Sequence, residues 1–163
     1  MGRLPTSIND MTADKQMTDE TAYEEARLCA HRIVRKREKT THELRTRLIE
    51  KGHDSDVSQQ VVDRFIDVGL VDDQRYIELY IREAQHNCKG WRRIKHELRQ
   101  RGIADADIEL LESPSDEEEL ERALTVIERQ TITDQKDRER ALRKLQNKGY
   151  SFDIAKQVLA KIS

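Results

Sequence analysis

Three stretches of the chain read as copies of one another, and each closes on a glycine. They are LRTRLIEKGH (Leu44–His53), IKHELRQRGI (Ile94–Ile103) and ALRKLQNKGY (Ala141–Tyr150). Each has a leucine four residues before the glycine (Leu48, Leu98, Leu145), a basic residue directly before it (Lys51, Arg101, Lys148) and a bulky residue after it (His53, Ile103, Tyr150). Leucine at that spacing marks the buried side of a last helical turn, and glycine just past it takes the left-handed conformation that ends a helix. Gly52, Gly102 and Gly149 lie 50 and 47 residues apart. A unit of that length buries too little apolar surface alone, so copies must lean on one another. The pattern therefore predicts an all-α protein of three tandem three-helix repeats. At about 1.5 Å per helical residue, a serial stack of them would form an elongated, curved molecule.

Helical periodicity fills in the repeats. Residues 1–20 have no apolar period and are expected to be a disordered tail. The first repeat is placed at 21–71. Ala22, Ala26, Ala30, Ile33 and Val34 share one helix face, Thr40 with Glu43 forms a capping box ahead of Leu44 and Leu48, and Val57, Val61 and Phe65 line a third helix. The second repeat is placed at 72–114. Asp72 is a candidate cap before Tyr76, Ile77, Tyr80, Ile81 and Ala84, Gly90 opens a helix with Trp91, Ile94 and Leu98, and a short helix holds Ile108 and Leu111. The third, at 115–163, starts from a Ser115/Glu118 capping box. Its helices carry Leu120, Ala123, Leu124 and Ile127, then Leu142 and Leu145, then Ile154, Val158 and Ile162.

Composition narrows the class further. Six glycines and two prolines in 163 residues are too few for an all-β chain or a glycine-rich nucleotide enzyme. No apolar run reaches membrane-spanning length, and the first residues lack the apolar stretch of a signal peptide. Cys29 and Cys88 do not make a disulfide framework, so a cytoplasmic location is expected.

Charged residues make up 38% of the chain, yet the net charge is only −2. The balance hides segregation. Residues 31–51 hold eight basic and three acidic side chains, and 82–101 hold seven and two. Residues 103–121 hold nine acidic side chains and no basic one. Such blocks steer partners over a Debye length of roughly 8–10 Å. Each block alone reads as a solvated helix face, but two basic blocks at matching repeat positions point to a contact surface.

Catalytic and metal signatures are missing from the sequence. It has no phosphate-binding glycine loop, no H-E-x-x-H and no nucleophile elbow. Cys29-Ala-His31 and His86-Asn-Cys88 lack metal-ligand spacing, because residues two apart on a helix face different ways. No enzyme activity, cofactor or metal is expected. Trp91 reads either as a core anchor with Ile94 and Leu98 or as a partner contact. Asp72-Asp73 reads as helix capping, and Tyr76 with Tyr80 as core with a polar edge.

Gly69–Ile103 resembles the RecX family of regulators of the RecA recombinase. It carries the pattern G-[LY]-[LIV]-[DN]-[DE]-x-R-[FY] as Gly69-Leu70-Val71-Asp72-Asp73-Gln74-Arg75-Tyr76. The pattern K-G-x-x-x-I-x-x-E-L-x-x-[KR]-G-[IV] follows from Lys89-Gly90 through Ile94, Glu97 and Leu98 to Arg101-Gly102-Ile103. Thr40, Glu43, Leu44, Leu48, Lys51 and Gly52 fit an upstream motif, and Leu145, Lys148, Gly149 and Tyr150 a downstream one. The resemblance implies a non-catalytic protein that binds the RecA–single-stranded DNA filament, and a monomer is expected. It would inhibit RecA's ATPase, strand exchange and coprotease activities, and so restrain recombination, repair and the SOS response.

Charge clustering, not the family motif, nominates the contact residues: Arg35, Arg37, Arg45, Arg75, Trp91, Arg92, Arg93, Lys95 and Arg99. Arg75 sits in the motif and serves equally well as a brace for the Asp72 turn. A direct DNA-binding helix-turn-helix-like module is the competing reading. A pI near 6.2 and the acidic block stand against it, leaving only weak, salt-sensitive DNA binding through the two basic blocks. A helical scaffold for an unrelated partner is a third reading.

Overall fold

A computed structural model describes residues 8–162. Among them the only regular elements are nine α-helices: α1 (Ile8–Lys36), α2 (Thr41–Glu50), α3 (Ser55–Asp67), α4 (Asp73–His86), α5 (Trp91–Gln100), α6 (Asp105–Glu109), α7 (Asp116–Ile127), α8 (Gln135–Lys148) and α9 (Phe152–Lys161). The chain divides after Asp73 into two compact units.

In the first unit α1, α2 and α3 enclose one core. Ala26, Ala30 and Ile33 of α1 meet Leu44 and Leu48 of α2, Val61, Val62 and Phe65 of α3, and Val71. Alanines on α1 let its backbone come close enough for Phe65 to fill the centre, and the His31 ring lies tilted on Phe65 at 4.8 Å. Both halves of the capping box at α2 form: the Thr40 hydroxyl accepts from the Glu43 N–H, and the Glu43 carboxylate accepts from the Thr40 N–H. Asp54 caps α3 by accepting from the N–H groups of Asp56 and Val57.

Residues 8–20, expected to be a disordered tail, are instead the opening turns of α1; residues 1–7 of that expected tail lie outside the described residues. Residues 11–20 are exposed. The packed stripe from Ala26 onward supplies the costly helical nucleus, and extension from a formed helix adds one backbone bond per residue. Thr18 and Thr21 also donate to carbonyls four residues back. A search for apolar period cannot see a helix prolonged in this way.

The second unit contains two cores. One gathers Tyr76, Ile77 and Ala84 of α4, Trp91, Ile94 and Leu98 of α5, and Ile103 and Ile108. The other gathers Ala123 and Ile127 of α7, Ala141 and Leu145 of α8, Tyr150, and four residues of α9. Gly52, Gly102 and Gly149 all adopt positive φ (95°, 82° and 100°), the left-handed stop that their leucine spacing predicts.

A backbone clasp joins the two cores. The Gly90 N–H donates to the Lys148 carbonyl at 2.8 Å. A β-carbon on Gly90 would lie 2.3 Å from the Gly149 carbonyl carbon, and one on Gly149 would lie 2.3 Å from the Arg93 Cβ. The start of α5 and the end of α8 thus touch at a distance only glycine permits. Around this point the buried Tyr150 hydroxyl donates to the Cys88 carbonyl at 2.6 Å, and the Trp91 N–H donates to Glu119 at 3.2 Å. Gly90 has no capping side chain, so Glu119 supplies from α7 the acceptor that the start of α5 lacks.

Candidate binding surface

Helix α5 sorts its side chains by face. Trp91, Ile94 and Leu98 point into the core, while Arg92, Lys95 and Arg99 lie on the opposite stripe at spacings of three and four. Arg92 is exposed and Lys95 half-buried, and among the described residues neither forms an ion pair. Arg99 is already engaged, with Asp105 at 2.6 Å and Glu109 at 3.8 Å.

Arg93 lies on the flank and is structural. Its Nε reaches Glu97 at 3.0 Å and its Nη1 the Asn147 carbonyl at 3.1 Å, which ties α5 to α8. Glu97 also receives Lys89 at 2.8 Å and the Tyr80 hydroxyl. Tyr76 and Tyr80 stack with ring centroids 6.1 Å apart. The Arg101 guanidinium lies over Tyr80 at 4.6 Å and the Lys89 ammonium at 5.6 Å. Partial burial, then the charges of Arg93 and Arg101, lower the Lys89 pKa. This cluster of cations, tyrosines and one shared carboxylate edges the core beside the Arg92/Lys95 stripe.

Trp91 is 8% exposed and belongs to the core. Its reading as a surface contact is corrected: the helix turn that presents Arg92 outward turns Trp91 inward with Ile94. Arg75 is half-buried on α4. In the first unit, Arg35 and Arg37 are exposed at and beyond the end of α1, and Arg45 is half-buried and donates to the Ser55 hydroxyl at 2.8 Å.

Asp73 also departs from its expected role. Its carboxylate accepts from the Thr41 N–H and the Thr41 hydroxyl, both at 2.8 Å, and so pins the start of α2 across 32 residues of sequence. The acidic block is mostly exposed, but Glu119 is buried and receives Arg122 at 3.2 Å. Three basic residues of the nominated set are therefore exposed and, among the described residues, outside the ion-pair network: Arg35, Arg37 and Arg92. The sequence count missed α8, whose Gln135–Lys148 span holds six basic residues against two acidic ones. Its alternating signs at 136–140 hide that excess in a linear reading.

No described helix is long and apolar enough to cross a membrane, and no group of three or more His, Cys, Asp or Glu among the described residues could hold a metal ion. Two family models match the chain: "RecX, first three-helix domain" over residues 26–65 and "RecX, second three-helix domain" over residues 72–110. The Regulatory protein RecX of Trichlorobacter lovleyi is 36% identical over 155 residues, covering 89% of this chain and all of that protein. That of Halorhodospira halophila is 34% identical over 143 residues, covering 85% and 89%. The crystal structure of RecX from Lactobacillus salivarius shares the fold with a TM-score of 0.72 at 22% identity, over 88% of this chain and 97% of that one.

Proposed function

The chain belongs to the RecX family, whose members are named regulatory proteins, and we propose that it binds the RecA–single-stranded DNA filament and inhibits RecA's ATPase, strand exchange and coprotease activities. In this reading it restrains recombination, repair and the SOS response without catalysing a reaction, as a cytoplasmic monomer. The observation that carries it, beyond membership, is the construction of α5. Its apolar face is engaged by the core while Arg92 and Lys95 face outward without an ion-pair partner among the described residues. Binding energy spread over such outward-facing basic positions suits a charged polymer better than a small-molecule pocket.

ATP hydrolysis by RecA on single-stranded DNA, followed with substoichiometric amounts of this protein, tests the reading. Strong inhibition supports it; inhibition that appears only as free DNA is sequestered defeats it. Arg92→Glu combined with Lys95→Glu should raise the half-inhibitory concentration at least severalfold with unchanged helical circular dichroism. Arg93 is left intact because its guanidinium holds α5 to α8.

A further inference from the structure

Lys89 leaves α4 through a turn that takes most of its side chain out of water. The Cys88 N–H donates to the Gln85 carbonyl and the Lys89 N–H to the Ala84 carbonyl, both at 2.9 Å. Cys88 takes the left-handed conformation (φ 54°) that this double closure requires, a place usually held by glycine. Lys89 is thereby turned toward Tyr80 and α5, and its side chain is only 25% exposed. The Lys89 Nζ lies 2.8 Å from Glu97 Oε2, 3.4 Å from the Tyr80 hydroxyl and 5.6 Å from the centre of the Tyr80 ring. The other Glu97 oxygen holds the Arg93 Nε at 3.0 Å, and the Arg101 guanidinium lies over the same tyrosine at 4.6 Å. Three cations therefore crowd around one carboxylate. Burial, then the charges of Arg93 and Arg101, lower the Lys89 pKa against the smaller opposing pull of Glu83.

We infer that Lys89 is a modification site, acylated by small acyl phosphates that the neighbouring guanidinium groups help to seat. A lysine that is partly desolvated and set beside other cations is the kind that acts as a nucleophile near neutral pH. Arg93 and Arg101 present planar donors of the sort that hold a phosphoryl group. In the step itself the uncharged amine nitrogen attacks the acyl carbon. A C–N bond forms, the C–O bond to phosphorus's oxygen breaks, and phosphate leaves with the bonding pair. The one proton that the nitrogen gives up passes to the departing phosphate, with Glu97 on its path. No oxidation or reduction is involved. The product is a neutral amide, which can neither pair with Glu97 nor lie as a cation over Tyr80. Acylation thus removes one positive charge and two contacts at the residue directly before Gly90. The inference stands apart from the filament reading, since it concerns covalent chemistry of this chain alone.

The test is incubation of the folded protein with acetyl phosphate near neutral pH, with the occupancy of each lysine followed over time by peptide mass spectrometry. Lys89 should acylate severalfold faster than Lys51, Lys136 and Lys161, which are exposed. Concentrated urea should erase that lead, because it depends on burial and on neighbours from α4 and α5. Added inorganic phosphate should slow Lys89 and leave the three exposed lysines unchanged, since it competes for the guanidinium groups. Arg101→Gln should remove most of the lead. Should that variant misfold, the urea and phosphate comparisons on the unaltered protein decide the matter. The inference is overturned if Lys89 reacts no faster than the exposed lysines in the native protein, or if inorganic phosphate does not slow it. It is equally overturned if the lead survives in urea, for then the adjoining sequence and not the folded cluster sets the reactivity.

Discussion

Tyr150 shows how one side chain can serve two purposes. It is the bulky residue after a repeat glycine, and it also spans to Cys88 through its hydroxyl. Burial, and after it the negative charge of Glu119, raise its pKa above the ordinary value of 10. A raised acid leaves stability unaffected while both states are protonated. Above about pH 10 the unfolded phenol ionises and the folded one does not, so stability falls as pH rises. Tyr150→Phe should lose about 0.5–1.5 kcal/mol near neutrality, from the missing hydrogen bond. Its deficit should shrink as pH climbs from 9 to 11.5, read by chemical denaturation at each pH. A constant deficit would mean that the phenol ionises freely in the native state. None of this was legible beforehand, because a tyrosine's partner 62 residues away leaves no local trace.

Helix ends follow rules that act over three or four residues, which is why they were legible. Thr40/Glu43 and Ser115/Glu118 both close their capping boxes, and Asp54, Asp134 and Ser151 cap α3, α8 and α9. The two boxes differ in setting, for Thr40 is fully buried and Ser115 exposed. Thr40→Ala should therefore cost about 1–2 kcal/mol and Ser115→Ala about 0.5–1 kcal/mol in urea unfolding. Equal losses would show that burial of the cap is irrelevant. The element most poorly read was α1, because its first turns are carried by extension from the packed segment and not by any apolar stripe. Charge faces were half legible. Phase alone places Arg92 and Lys95 outward on α5, yet which cations stay unpaired depends on carboxylates such as Glu97, Asp105 and Glu109.

At the scale of the whole chain, the first unit encloses one core and the second encloses two, and the two cores of the second unit are joined through Gly90 and Gly149. A methyl on Gly90 would strike backbone that cannot step aside, so Gly90→Ala should destabilise by about 1–3 kcal/mol. It should also separate the fluorescence transition of Trp91, which sits in one of those cores, from the transition followed by circular dichroism. Coincident, undisplaced transitions would show that the clasp couples nothing. What the sequence determined by itself is everything governed by local geometry: helix class, most helix ends, the repeat glycines, and which leucines and isoleucines face inward. The family motifs rest on the same short-range patterns. Tertiary structure alone decided which charged side chains remain free to meet a partner, that Trp91 is buried, that Glu119 caps a helix from another element, and that Gly90 is a point of backbone contact. Those properties depend on atoms that are neighbours in space and strangers in sequence, and no period or spacing along the chain encodes such a distance.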